Sequence, residues 1–109
     1  MEITFNIYYK SENNNAKKFA EEMINSGIVD EIRSKEGNLK YDYFMPLNND
    51  NLVLLIDSWK NQEALDKHHN SDTMKKITEL RNKYDLHMVV EKYIKDDSNI
   101  ENNDKFIRK

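Results

Sequence analysis

The sequence predicts one domain of the α+β class, with helices packed on an antiparallel sheet. Four short segments rich in β-branched and aromatic residues show a period-two pattern, which is typical of strands. Apolar residues recur at helical spacing between the first and second of these segments and again after the third. The resulting order of strand, helix, strand, strand, helix and strand is the ferredoxin-like βαββαβ arrangement. A chain of 109 residues has room for one such domain.

The first strand is predicted over residues 2–10, where Ile3, Phe5, Ile7 and Tyr9 alternate with Thr4, Asn6 and Tyr8. Asn6 is the unusual member, because asparagine is a poor strand former and its amide needs hydrogen-bond partners beside apolar neighbours. Two interpretations are open. The amide is satisfied at a sheet edge or by water, or it points into a pocket.

One long helix is predicted over residues 15–34, since its apolar residues keep near-helical spacing. Gly27 lies inside this segment. Glycine costs about 1 kcal/mol relative to alanine in a helix, so we expect at least a bend there. The pair Gly37-Asn38 then ends the helical segment, because glycine suits the left-handed backbone conformation of a helix stop.

The second and third strands are predicted over residues 39–45 and 52–59. The polar loop 46–51 between them indicates an antiparallel hairpin. Both faces of the third strand are mostly apolar, so each face needs a cover.

A broken helical crossover is predicted after the third strand. Asn61 is a good N-cap, because its side chain can accept a backbone N–H of the first turn, and Ser71 or Asp72 can cap a further helix. The predicted elements of this region are helices over 61–70 and 72–84 and a last strand over 86–94. Residues 1–95 are therefore predicted to form the domain.

Residues 96–109 are predicted to form a polar C-terminal tail. Two interpretations remain open for it. The tail frays, as chain ends commonly do, or its late apolar pair, Phe106 and Ile107, docks on the body or on a partner.

Composition excludes several functional classes. The net charge of −3 argues against a general nucleic-acid binder. The absence of cysteine excludes a disulfide framework and a thiolate metal site. The adjacent His68 and His69 diverge by roughly 100° on a helix, so no dedicated metal site is expected. No apolar run has membrane length and no signal-peptide pattern is present, which predicts a cytoplasmic protein without membrane contact.

A homodimer is predicted from the strand patterns. Helices can cover only one face of the sheet, yet the strands offer apolar or aromatic side chains to both faces. A monomer would expose more than the few hundred Å² of contiguous apolar surface that is usual. Two copies are therefore expected to pack sheet on sheet about a two-fold axis.

The corner between the third strand and the next helix carries a motif of six residues: Asp57, Trp59, Ala64, Leu65, His68 and Ser71. These residue types at this spacing resemble the signature of the antibiotic biosynthesis monooxygenase family. The resemblance runs from about residue 1 to about residue 94 and includes the Gly37-x-x-x-Tyr41 entry to the second strand. Asp57 stands where the family more often has glutamate.

The resemblance implies a small ferredoxin-like protein that forms a dimeric α/β barrel. The family includes quinol monooxygenases, heme-degrading enzymes and members with no known activity, so the resemblance leaves the substrate open. For this chain it implies oxidation of a small phenolic or quinol substrate by molecular oxygen without a cofactor. Heme degradation, with Asn6, Trp59 and His68 as the residue set, is an alternative. A non-catalytic dimeric module that binds a small aromatic ligand is another.

The candidate site lies between helices and sheet. Candidate catalytic residues are His68 as acid/base, because its unperturbed pKa lies near neutrality, Trp59 as a wall, and Asn6 as a donor to the substrate oxygen. Candidate substrate-binding residues are Asp57, Tyr41 and Tyr43. Structural roles compete with these: Trp59 as a core anchor, Asp57 as a backbone brace, His68 as a packing residue and the tyrosines as sheet packing.

Overall fold

The computed structural model describes residues 1–96, 107 and 108 of the chain. Its strands are β1 (Ile3–Lys10), β2 (Asn38–Phe44), β3 (Leu52–Trp59) and β4 (His87–Ile94). Its helices are α1 (Asn15–Asn25), α2 (Ile28–Arg33), α3 (Gln62–His69) and α4 (Asp72–Lys83). The predicted α+β class is confirmed, and each helical region of the βαββαβ order is divided into two helices.

The four strands form one antiparallel sheet in the order β2-β3-β1-β4. The two central strands are therefore β1 and β3, and the sheet is open at β2 and β4. The predicted hairpin between β2 and β3 is confirmed. This arrangement is ferredoxin-like.

Helices cover one face of the sheet, which we call the covered face. On β3 this face carries Val53, Leu55, Asp57 and Trp59, all of them buried. Strand pairing sets the matching residues of β1, because directly opposed residues lie on the same face. Phe5 therefore joins Asp57 on the covered face.

The core lies between the covered face and the helices. Phe19 of α1 is fully buried, and its ring centre lies 5.0 Å from that of Tyr9 on β1. Ile32 of α2 and Ile77 of α4 are buried in the same cluster. The helices are thus held by apolar burial along one stripe of each.

Gly27 divides the first helical region. Its φ of 86° is in the left-handed region, and it begins α2 as the N-cap. At least a bend was predicted at this glycine, and the structure shows a full break, since the backbone conformation it adopts cannot continue a right-handed helix.

The other side of the sheet, which we call the open face, carries no helix of residues 1–96. Ile56 of β3 lies at its centre, opposed by Asn6 on β1 and Asp42 on β2. The exposed apolar or aromatic side chains of this face include Phe44 (44%), Val89 (46%) and Tyr93 (48%). All residues of β4 are exposed.

The predicted tail lies mostly outside the described residues. The sheet ends at Ile94, and the Lys95 backbone N–H donates to the Glu2 carbonyl at 3.1 Å. Phe106 lies outside the described residues, and Ile107 is half-exposed. The domain boundary at residue 95 and the role of residues 96–109 stay predictions.

Within residues 1–96, no helix has both the length and the apolar character that crossing a membrane requires. The cytoplasmic location stays a prediction.

Candidate active site

The corner between β3 and α3 is fixed by local contacts. The Asn61 side chain accepts the Ala64 backbone N–H at 2.9 Å, which confirms the predicted N-cap. Gly37, with a φ of 87°, lies so close to α3 that an added Cβ would come within 2.5 Å of the Ala64 Cβ. The Lys60 backbone N–H also donates to the Gly37 carbonyl at 2.8 Å. Only glycine fits here, and its absence of a side chain lets α3 lie tightly against the start of β2.

This corner brings three motif residues into direct contact. The Trp59 indole stacks on the His68 imidazole, with ring centres 4.8 Å apart and planes 22° from parallel. The Trp59 indole Nε1–H donates to Asp57 Oδ1 at 2.7 Å. All three residues are buried. Positions 57 and 59 share a face because successive side chains of a strand alternate.

A chamber of about 190 Å³ lies on the covered face between the sheet and α3 and α4. Its lining residues are Phe5, Ile7, Tyr41, Asp57, His68, His69, Met74, Ile77, Arg81, Met88 and Val90. The walls are mainly apolar and a few polar groups converge on the chamber, which is the usual character of a small-molecule site.

Asp57 is the chamber's carboxyl group. Burial raises the pKa of this side chain from its ordinary value of 3.8 to about 7, against the opposing effects of the Trp59 hydrogen bond and the Arg81 charge. A buried carboxyl resists ionisation because the low-dielectric interior stabilises the charged form less than water does. Asp57 can therefore gain and lose a proton near neutral pH.

Arg81 supplies positive charge to the chamber. Its Nε and Nη2 groups donate to the Tyr9 hydroxyl at 3.1 and 2.9 Å. Within residues 1–96, no carboxylate oxygen lies within 4.0 Å of this guanidinium. The cation thus has a neutral phenol as its close partner and is free to attract an anionic ligand.

His68 lies between the chamber and an outer groove of about 340 Å³. On the groove side, Lys35 Nζ lies 2.9 Å from His68 Nδ1 and 2.9 Å from Ser71 Oγ. Burial, followed by the charge of Lys35, lowers the pKa of His68 to about 4. The imidazole is therefore neutral at physiological pH.

Tyr41 and Tyr43 lie side by side on β2, with ring centres 5.8 Å apart and planes nearly perpendicular. Tyr41 lines the chamber, whereas Tyr43 does not. The Tyr43 hydroxyl is buried without a hydrogen-bond partner within 3.5 Å in the described part of the chain. Burial raises the pKa of both phenols, so both stay protonated.

Asn6 does not lie at the chamber. It is opposed by Ile56 on β3 and Glu91 on β4, on the open face, while the neighbouring Phe5 and Ile7 line the chamber. The expectation that Asn6 approaches this pocket from β1 is wrong, because strand alternation turns its side chain to the opposite side of the sheet. His68, Asp57 and Tyr41 line the chamber as predicted. Trp59, which was predicted as a wall, is not among the lining residues; its indole stacks on His68 and donates a hydrogen bond to Asp57.

Two polar residues of the site were missed from the sequence. Arg81 has a signal that could have found it, because it follows Met74 by seven positions and Ile77 by four, on one helical stripe. Lys35 has none, since it lies 33 positions before the histidine that it contacts. Only the packing of the turn after α2 against α3 brings this pair together.

Among residues 1–96, 107 and 108, no cluster of three or more histidine or acidic side chains could hold a metal ion.

Comparison with known proteins connects this site to a family. The family model described as antibiotic biosynthesis monooxygenase matches residues 3–80, which is most of the chain. The chain belongs to the antibiotic biosynthesis monooxygenase family. The resemblance found in the motif around Trp59 and His68 is thereby confirmed.

One curated protein and several solved structures are similar to this chain. "Putative monooxygenase YcnE" of Bacillus subtilis (strain 168) is 29% identical over 68 residues, which are 62% of this chain and 68% of that protein. SnoaB, described as a cofactor-independent oxygenase from Streptomyces nogalater, matches with a TM-score of 0.73 and 11% identity over 89% of this chain and 95% of its own. A conserved protein from Methanosarcina mazei Go1 matches with a TM-score of 0.74 and 22% identity, covering 88% and 94%. At such identities the two structures establish the fold alone.

Proposed function

We propose that this protein is a cofactor-independent monooxygenase that oxidises a small phenolic or quinol substrate with molecular oxygen. The observation that carries the proposal is the covered-face chamber, in which a carboxyl group with a pKa of about 7, a guanidinium and a neutral imidazole meet within apolar walls. Membership of a family whose relatives include a named cofactor-independent oxygenase supports it.

In this proposal, Asp57 accepts the phenolic proton. A general base works best when its pKa lies near the working pH, and burial places the Asp57 carboxyl there. The sequence favoured His68 for this role, but its pKa is lowered to about 4 and its Nδ1 is already engaged by Lys35. We therefore assign proton acceptance to Asp57 and hydrogen-bond donation to His68.

The substrate anion is held by positive and donor groups. Arg81 and His68 stabilise the phenolate oxygen, because preorganised donors are strongest in a site that excludes water. The phenolate transfers one electron to oxygen, and the phenoxyl radical and superoxide combine to form a C–O bond. Asp57 returns its proton as the O–O bond breaks. One oxygen atom becomes the new carbonyl of a quinone, and the other leaves as water with the ring hydrogen and the phenolic proton.

The chamber's size favours a single-ring substrate. Its volume of about 190 Å³ is smaller than the roughly 300 to 1,000 Å³ of sites for drug-sized ligands. Heme is larger than a drug-sized ligand. The asparagine of the heme-degrading set also lies on the other face, so the geometry favours the phenolic substrate.

We further propose that the protein works as a homodimer joined through the open face. Ile56 lies at the centre of that face, and Phe44, Val89 and Tyr93 are each more than two-fifths exposed around it. Sheet-on-sheet packing would remove this apolar surface from water and leave the chamber on the far side of each sheet.

The test is oxygen uptake with a panel of single-ring hydroquinones and phenols. The wild-type protein should consume oxygen and form quinone, and His68→Ala should lower the rate at least about tenfold, because one donor to the anion is lost. His87→Ala is the matched control. This histidine is exposed on β4 and does not line the chamber, so its replacement should leave the rate unchanged.

Equal rates for wild type and His68→Ala would remove the proposed role of His68. Absence of oxygen uptake across the panel, together with thermal stabilisation by the same compounds, would replace the enzymatic proposal with a non-catalytic ligand-binding module. A Soret shift on addition of hemin, with degradation of the hemin, would restore the heme alternative.

A further inference from the structure

The contact between Lys35 and His68 is unusual because it joins a cation to a histidine, with a serine as the third member. Lys35 follows α2 in the turn that leads to Gly37, and its Nζ lies 2.9 Å from both His68 Nδ1 and Ser71 Oγ. Within residues 1–96, no carboxylate oxygen lies within 4.0 Å of this ammonium group. Its close partners are therefore neutral.

The direction of each hydrogen bond in this triad follows from its chemistry. An ammonium group has donors and no acceptor. The Ser71 hydroxyl donates to the His68 backbone carbonyl at 2.6 Å, so its lone pairs are available to accept from Lys35. His68 Nδ1 must likewise accept, and an accepting nitrogen carries no proton. The proton of the neutral imidazole is then on Nε2.

We propose that Lys35 is a positioning residue that holds His68 in its Nε2–H tautomer, so that the imidazole presents a hydrogen-bond donor, and not a proton acceptor, to the substrate oxygen. The proposal rests on the proposed monooxygenase function for its catalytic consequence. Its structural half concerns the protein without substrate and can be tested alone.

The location of the His68 ring supports this role. Lys35 and Ser71 line the outer groove but not the chamber, whereas His68 lines both. The Nδ1 edge of the ring is thus engaged on the groove side. Because His68 also lines the chamber, Nε2 is the ring nitrogen that we assign to a ligand there.

The charged groups around His68 oppose its protonation. Lys35, His69 and Arg81 each lower the pKa of His68, in addition to the larger effect of burial, and the Trp59 indole stacks on the ring face. No carboxylate is among the groups that act on this pKa. The environment therefore holds the ring neutral, and Lys35 selects which neutral form it takes.

The pKa of the Lys35 ammonium group reflects two opposing effects. Burial lowers the pKa of its ammonium group, but the charge of Glu31 opposes that change. Glu31 also accepts from Thr73 Oγ1 at 2.5 Å, which ties α2 to α4 beside the triad. This contact joins α2, the helix that precedes Lys35, to α4, which lines the chamber.

The experiment is a long-range ¹H–¹⁵N correlation spectrum of the substrate-free protein labelled at histidine nitrogens, recorded between about pH 5 and 8. In wild type, His68 Nδ1 should resonate as an unprotonated nitrogen and Nε2 as an N–H nitrogen throughout. Lys35→Glu reverses the hydrogen bond, because a carboxylate only accepts. Nδ1 should then be protonated at neutral pH.

Two further variants separate the effect of the Lys35 hydrogen bond from the effect of a changed charge in the groove. Lys35→Arg keeps a donor-only cation and should preserve the wild-type spectrum of His68. Lys67→Glu makes the same charge change on a residue that lines the same groove but whose ammonium group pairs with Glu63, and it should also preserve that spectrum. If Lys35→Glu fails to fold, Lys35→Met removes the donor, and the pKa of His68 should rise by about 1.

A wild-type spectrum with the proton on Nδ1 would overturn the proposal, and so would a Lys35→Glu or Lys35→Met variant in which His68 behaves as in wild type. In oxygen uptake, Lys35→Glu should lower kcat by about 100-fold, with Lys35→Arg close to wild type. The expected spectra without any quinol oxidation by wild type would leave the Lys35 assignment intact and refute the proposed function. The two failures are therefore distinguishable.

Discussion

The two faces of the sheet carry similar side chains, but helices cover one face and leave the other open. On the covered face, Asp57 is held by the Trp59 indole and walled off by helices, and burial raises its pKa to about 7. On the open face, Glu91 contributes to the raised pKa of the Tyr8 and Tyr93 phenols, and all three residues lie where no helix of residues 1–96 covers them. Both faces thus place a carboxyl group near aromatic side chains.

The two carboxyl groups differ in their access to water, and this difference indicates which face is suited to catalysis. A carboxyl group becomes a proton acceptor suited to neutral pH when the solvent that favours its charge is removed. The open face lacks this condition in a single chain and offers exposed apolar area instead. We therefore assign chemistry to the covered face and association to the open face.

The largest expected effect tests the open face. Ile56→Lys places a charge at its centre, and burying an unpaired charge costs about 3 to 5 kcal/mol, so dimer affinity should fall by about 100-fold or more. Sedimentation velocity at micromolar concentration should then show a species near the chain mass of 13.1 kDa.

Ile24→Lys is the matched control for that change. Ile24 is 52% exposed on α1, away from the open face, so its replacement should leave the wild-type dimer unchanged. Wild-type protein that sediments as a monomer would contradict the proposed dimer and the division of roles between the faces.

The second prediction concerns the pH dependence of stability on the covered face. Between about pH 4 and 7 the unfolded chain releases the Asp57 proton while the folded protein keeps it, because the folded pKa is raised to about 7. This group therefore makes the free energy of unfolding fall as pH rises, by at most about 1.4 kcal/mol per pH unit. Asp57→Asn should remove that fall, so its stability relative to wild type improves with rising pH.

His68 acts in the opposite direction. Its folded pKa of about 4 lies below its ordinary 6.5, so the unfolded chain binds the proton first and stability rises with pH across that interval. Urea unfolding at several pH values should show this rise more clearly in Asp57→Asn than in wild type. Asp50→Asn, in the exposed loop before β3, should follow wild type. Parallel curves for all three proteins would show that Asp57 has no raised pKa.

The third prediction concerns the two glycines. Both have a φ near 86°, so alanine at either position costs about 1 to 2 kcal/mol of backbone energy. At Gly37 an added Cβ also meets Ala64, which should cost about 1 to 3 kcal/mol more and displace α3 with His68. Thermal unfolding and oxygen uptake of Gly37→Ala and Gly27→Ala check this.

Gly27→Ala is the control because its Cβ would meet nothing within 4 Å. Its stability should fall by the backbone cost alone and its oxygen uptake should stay near wild type. Equal losses in the two variants would show that the contact between β2 and α3 does not hold the covered face in place.

Local chemistry made much of the fold predictable. The N-cap at Asn61 and the break at Gly27 follow from one residue and its neighbours, whereas the helical segment predicted to end at Gly37 already ends at Arg33. Trp59 and His68 were both expected at the site, because the strand runs directly into a helix, and their rings stack on each other. Such features depend on short stretches of chain, which the sequence displays directly.

The candidate site was less predictable because its polar residues come from distant segments. Asn6 is a strand residue whose face is set by how β1 pairs with β3, and pairing moves every side chain together. Arg81 enters through the packing of α4, and Lys35 through the turn after α2. No local sequence pattern shows where these three side chains lie in the folded protein.

The amino-acid sequence determined the order of strands and helices and the family. It also determined the carboxyl, indole and imidazole of the motif, since each of these features depends on short-range spacing. The protonation of those groups was decided only when the chain folded. Burial moved the pKa of Asp57 upward and that of His68 downward, and Lys35 reached the imidazole from the far side. The physical reason is that spacing is a property of the chain, whereas the dielectric environment of a side chain belongs to everything packed around it.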